Sequence, residues 1–143
     1  LKKNEKEYMD NRYPTSKLLE VLFVRQLAEE VNQGPHASER VIINCVNPGL
    51  CKTSLSRDVT GFRALIFWFM KALIARTSEA GSRTLVASAI GGPETHGKYM
   101  SECVVKEPSE FVRSEEGKKT QERVYKELME ILENIQPGIT KNI

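Results

Sequence analysis

The chain has little of what builds a metal centre or a disulfide framework. It carries three cysteines and two histidines in 143 residues. Cys45, Cys51 and Cys103 form no C-x-x-C pair and cannot all bridge one another, which favours a reduced, cytoplasmic protein. His36 and His96 stand far apart in Gly/Pro-rich loops, so no metal site is expected. An excess of charge of one sign is also lacking. Lysine and arginine number 21 against 19 acids, a net charge of +2, so no nucleic acid partner is expected and little pull toward an anionic membrane. The longest apolar run, Ala64 to Ala75 (ALIFWFMKALIA), contains Lys71. It falls short of the roughly 20 residues that span a bilayer, and no signal-peptide pattern precedes it. Residue 1 is leucine, and the chain is expected to be part of a longer one.

What is present is a globular mix, 40% hydrophobic and 28% charged, in a length suited to one domain. The pattern predicts a polar N-terminal fringe over residues 1–11 and a first helix from about Pro14 to Val31, with proline in the first turn. A turn-rich stretch, NQGPHASER, leads to Val41–Val46 (VIINCV), which reads as a strand covered on both faces and stopped by Asn47-Pro48-Gly49. Thr60 to Ala75 is predicted helical. A small-residue helix over Ser78 to Ile90 follows, capped by Thr77 or Ser78. Lys98 to Val105 is the second candidate strand. Ser114 before Glu115 and Glu116 signals the start of a last helix, with Val124, Leu128, Ile131, Leu132 and Ile135 as its apolar stripe, closed by Pro137-Gly138. Four helices around two strands leave apolar faces without cover, so the pattern reads as half of an α/β domain.

The chemistry concentrates in RYPTSKLLEVLFVRQLAEEV, Arg12 to Val31. Tyr13 and Lys17 are four residues apart, which puts both on one helix face. Behind them Leu18, Leu19, Val21, Leu22, Phe23 and Val24 leave almost no polar side. A free phenol titrates near ~10, too high for efficient proton transfer at neutral pH, and a nearby ammonium favours the phenolate. By itself the pair is weak evidence, since an exposed tyrosine and lysine at a helix start are usually surface residues. Context decides.

Y-x-x-S-K opens a long apolar helix; a loop, a strand ending in N-P-G and then Thr53 follow. This order, from RYPTSKLLE through VNPGLCKTSL to TSEAGSRTLVASAIGGPETHGKYMS, resembles the short-chain dehydrogenase/reductase family, and most of all its fungal and retinol-dehydrogenase-like members. The resemblance implies an α/β fold, the C-terminal part of a Rossmann-type doubly wound parallel sheet, with the N-terminal nucleotide-binding half missing. It implies one such half-domain over residues 1–143, with a catalytic helix at about 13–32, a strand at 41–47, a substrate region at about 54–75 and a C-terminal helix at about 114–135. Tyr13 would be the catalytic acid/base. Lys17 would lower its pKa and hydrogen-bond the nicotinamide ribose. Pro48, Gly49 and Thr53 match the P-G-x-x-x-T segment that lines the nicotinamide end of NAD or NADP. Phe67, Trp68 and Phe69 would form either an apolar lid over a hydrophobic alcohol or carbonyl substrate, or plain core packing. Membrane contact by that segment is the weaker reading. Ser16, Cys45 and Cys51 are assigned packing roles.

The departures are as informative. None of the nine glycines forms G-x-x-x-G-x-G, no N-A-G occurs, and residues 1–12 hold no counterpart of the family's catalytic serine. The residue that selects NAD or NADP is therefore not readable. Two functions remain open: a partial, inactive form of an oxidoreductase, and a non-catalytic chain that binds a full-length partner through its apolar helix. For that helix, burial within its own subunit stands against a homodimer face.

Overall fold

A computed structural model describes residues 5–35, 37–39, 41–54 and 61–143. The elements run α1 (Glu5–Gln33), β1 (Cys45–Asn47), α2 (Phe62–Ile74), α3 (Ser78–Ala89), β2 (Tyr99–Ser101), β3 (Val104–Lys106), α4 (Glu110–Arg113) and α5 (Glu115–Ile135). One sheet has the order β1-β2-β3. β1 and β2 are parallel, pairing Cys45 with Tyr99 and Asn47 with Ser101. β3 turns back antiparallel, pairing Met100 with Val105. The class is α/β, as the patterning indicates, with a small mixed sheet.

Three sequence expectations need correction. The first helix does not begin near Tyr13 or Pro14 but at Glu5, and Pro14 lies inside it. Proline removes a single N–H bond, and the helix continues on both sides of it. Around it the hydroxyls of Thr15 and Ser16 donate to the carbonyls of Asn11 and Tyr13.

The strand expected over residues 41–47 pairs only from Cys45. One residue upstream of Asn44, the Ile43 N–H donates to the His96 Nδ1 at 3.2 Å rather than to a strand carbonyl. His96 Nε2 lies 3.0 Å from the Ala28 carbonyl, so the ring carries its proton on Nε2 and ties α1 to the strand approach. Asn44 turns inward, donating to the Ser88 carbonyl and the Thr95 hydroxyl and accepting from the Ser88 hydroxyl. Val41, expected to be covered on both faces, is 57% exposed. The other histidine, His36, lies outside the described residues.

The strand expected over Lys98 to Val105 is a hairpin. Glu102 and Cys103 have φ of 56° and 64°. Positive φ at both central residues marks the tight two-residue turn that usually takes Asn-Gly, and Glu-Cys gives no such signal.

The core gathers where α1 meets α5, and around Met100 and Val112. Leu22 is fully buried, and Phe23 stacks on Tyr125 with ring centroids 6.0 Å apart. Gln121 is 1% exposed; it accepts from Arg25 at 3.1 Å and donates to Gln26 at 3.0 Å, which donates on to Glu30. A satisfied amide chain therefore crosses this interface. The predicted α5 stripe holds in part: Val124, Leu128 and Leu132 are half-buried, whereas Ile131 and Ile135 are exposed.

Thr77 and Ser114 cap α3 and α5 by accepting from the Ala80 and Gly117 amides. Beyond α5 the chain folds back through Gly138, at φ 88°, and Glu133 holds the tail. Its carboxylate accepts from the amides of Gly138 (2.7 Å) and Thr140 (2.9 Å) and from the Thr140 hydroxyl. The Thr140 hydroxyl first, then the two amides, lower its pKa from 4.5 to about 2. A depressed carboxylate pKa contributes stability above the unfolded value, and that stability is lost as pH falls through the folded one. The protection of the Gly138 and Thr140 amides, taken relative to their intrinsic exchange rates, should therefore hold above pH 4.5 and be lost as pH falls toward about 2. Glu133→Gln should lower that protection and remove its dependence on pH across the window.

Candidate active site

Tyr13 and Lys17 fall on the exposed side of α1, away from the α5 contact. Tyr13 is 59% exposed, and the Lys17 ammonium lies over its ring at 5.8 Å from the centroid. One helical turn brings cation and phenol together, as their spacing requires. Lys17 also donates to both carboxylate oxygens of Glu20, at 2.8 and 3.0 Å. Glu20 first, through that bond, raises the lysine pKa and keeps the ammonium charged. Sequence reasoning overlooked Glu20, although an acid three residues after a lysine is a legible helix pair. A cleft of about 540 Å³ opens beside Tyr13, lined by Asn11, Arg12, Tyr13, Thr15, Ser16 and Leu19, all from α1.

Pro48, Gly49 and Thr53 lie in the loop that leaves the carboxyl end of β1, and they do not line that cleft. The end of a parallel strand is where open α/β sheets place their ligands. Asn47 builds the turn: its Oδ1 accepts from the Gly49 amide at 2.9 Å, and its Nδ2 donates to the Tyr99 hydroxyl at 2.8 Å. Gly49 has φ 75°, a conformation that favours glycine. Thr53 is exposed, and its carbonyl accepts from Lys71 of α2.

The loop is seated on α3 by Gly81. A β-carbon there would stand 2.3 Å from the Cys51 sulfur and 3.7 Å from Pro48. Cys51 thus packs against the helix, in line with its assigned role. Burial pushes the Cys45 thiol up, which keeps it protonated. All three cysteines are free. Of the proposed substrate region, residues 55–60 lie outside the described residues, as does the side chain of Phe67. Trp68 and Phe69 are exposed on α2, and Trp68 lines a cleft with Lys52, Lys71 and Ala72. No helix among the described residues is long and apolar enough to cross a membrane.

The chain is 52% identical over 133 residues to the short chain dehydrogenase/reductase dmxR8 of Cryptosporiopsis sp., covering 93% of this chain and 39% of the relative. The chain belongs to the short-chain dehydrogenase/reductase family. The short-chain dehydrogenase anuD of Penicillium roqueforti is 42% identical over 134 residues, covering 92% of this chain and 35% of the relative. The short chain dehydrogenase FGM9 of Gibberella zeae is 35% identical over 135 residues, covering 94% and 39%. The chain thus spans less than two-fifths of the length of these curated relatives, consistent with a C-terminal portion of the short-chain dehydrogenase/reductase domain. No family model matches it. No solved structure gives a significant match.

Proposed function

We propose that the short-chain dehydrogenase/reductase containing this chain transfers hydride between NAD or NADP and an alcohol or carbonyl substrate, with Tyr13 as proton donor and acceptor. The observation that carries the reading is the exposed Tyr13 phenol with the Lys17 ammonium 5.8 Å from its ring centroid. Lys17 places a positive charge over the ring of the phenol that would gain and lose the proton. It would also hold the nicotinamide ribose. Pro48, Gly49 and Thr53 would line the nicotinamide end, and Gly49 and Thr53 are exposed in that loop. The bound nicotinamide supplies or accepts the hydride. Trp68 and Phe69 would cover an apolar substrate.

These residues fit one end of the cofactor only, since no G-x-x-x-G-x-G turn for the pyrophosphate occurs in the 143 residues. The test pairs two preparations. The full-length protein should consume NADH or NADPH with a carbonyl substrate. The 143-residue chain should show no saturable NADH or NADPH binding in a fluorescence titration. A full-length protein inert with both nucleotides would sink the reading. Tight binding by the short chain would overturn its partial character. The second reading, a non-catalytic chain docking on a full-length copy through α1, draws support from the exposed Leu19 and the half-buried Leu18 and Val21. It predicts a heteromeric complex in light scattering.

A further inference from the structure

Arg76, between α2 and α3, meets the Pro48–Gly49 loop through both its backbone and its side chain. Its backbone joins the loop on both sides: the Arg76 amide donates to the Leu50 carbonyl at 2.9 Å, and Lys52 donates to the Arg76 carbonyl at 2.9 Å. Its guanidinium lies over Gly49, with the central carbon 3.7 Å from the place a β-carbon would take. Nη2 donates to Glu102 Oε1 at 2.6 Å, and Lys106 pairs with the other carboxylate oxygen. Glu102 is one of the two positive-φ residues of the β2–β3 turn, a position that costs free energy for a non-glycine side chain. Two cations hold a strained residue, and that residue holds the arginine above the loop.

We propose that Arg76 is a positioning residue for the nicotinamide-contacting loop, and that Glu102 orients it. The inference rests on the reading of Pro48 and Gly49 as cofactor contacts. The planar guanidinium covers the glycine face and donates to Glu102 at once, which a lysine ammonium cannot do. Removing it frees the loop to sample other positions without touching Tyr13 or Lys17. Cofactor affinity should therefore suffer, and proton transfer should not.

The test compares Arg76→Ala, Arg76→Lys and Glu102→Gln in the full-length protein, reading NADH and NADPH affinity, kcat, melting temperature and amide exchange at Gly49 and Lys52. Arg76→Ala should weaken nucleotide binding about tenfold, with kcat at saturating nucleotide within about twofold. Its Gly49 and Lys52 amides should exchange faster. Arg76→Lys and Glu102→Gln should fall between it and the parent. Unchanged affinity with unchanged exchange would overturn the proposal, as would a joint fall of affinity, kcat and melting temperature, the mark of a merely structural residue. If the parent binds neither nucleotide, the functional reading fails by that result alone. The exchange at Gly49 in Glu102→Gln, the mildest variant, then still decides whether the pair positions the loop.

Discussion

Replacing Tyr13 by phenylalanine in the full-length protein is expected to lower kcat by roughly three orders of magnitude, the scale of a general acid/base. Nucleotide affinity should stay within about twofold, because no contact to the nucleotide is assigned to the phenolic oxygen. The substitution isolates one atom. Tyr13 is exposed, so losing its hydroxyl leaves no buried partner unsatisfied. The ring face over which Lys17 lies is also kept, so the ammonium retains both its aromatic contact and its bond to Glu20. A fall in kcat then reports the missing proton carrier, not a displaced lysine. Steady-state kinetics with fluorescence titration of NADH and NADPH make the check, and a variant with the parent's kcat would remove Tyr13 from the proton path.

The second large effect concerns Gly117. Helix propensity alone says that alanine at this position of α5 should stabilise by about 1 kcal/mol. The packing reverses the sign. A β-carbon at Gly117 would stand 1.9 Å from the Phe111 carbonyl oxygen, 2.9 Å from its carbon and 3.1 Å from the Val112 carbon. All three are backbone atoms, and none can swing aside as a side chain would. The corner is tight because Ser114 serves both helices: its amide donates to the Phe111 carbonyl at 3.0 Å, and its hydroxyl accepts from Gly117 at 3.1 Å. Gly117→Ala must open the α4–α5 corner and pull on that cap. We expect a net loss of about 2–3 kcal/mol and a drop in melting temperature of several degrees by circular dichroism. A higher melting temperature would mean that α4 and α5 do not meet as described.

Local rules read the ends of the helices well. Thr77 and Ser114 are legible as caps because a hydroxyl next to a run of helix formers satisfies an orphan amide within three residues. Residues that act across the fold left no such trace. Gln121 looks like a surface glutamine, and only the approach of α1 buries it against Arg25 and Gln26. His96 reads as a loop histidine, yet it links the Ala28 carbonyl to the Ile43 amide and so shortens β1. Arg76 sits in an unremarkable A-R-T-S link, and its partners Gly49 and Glu102 are both more than twenty residues away.

The sequence by itself determined the family, the pairing of Tyr13 with Lys17 and the helical, capped character of most of the chain. Each depends on spacing within a turn or on a run of quoted blocks. Tertiary structure alone decided that Lys98 to Val105 folds as a hairpin and that Arg76 covers Gly49. The reason is physical. A four-residue helical spacing is set by covalent geometry, whereas the tight turn at Glu102-Cys103 is held in part by Arg76, a residue distant in sequence, alongside the hairpin's own Lys106.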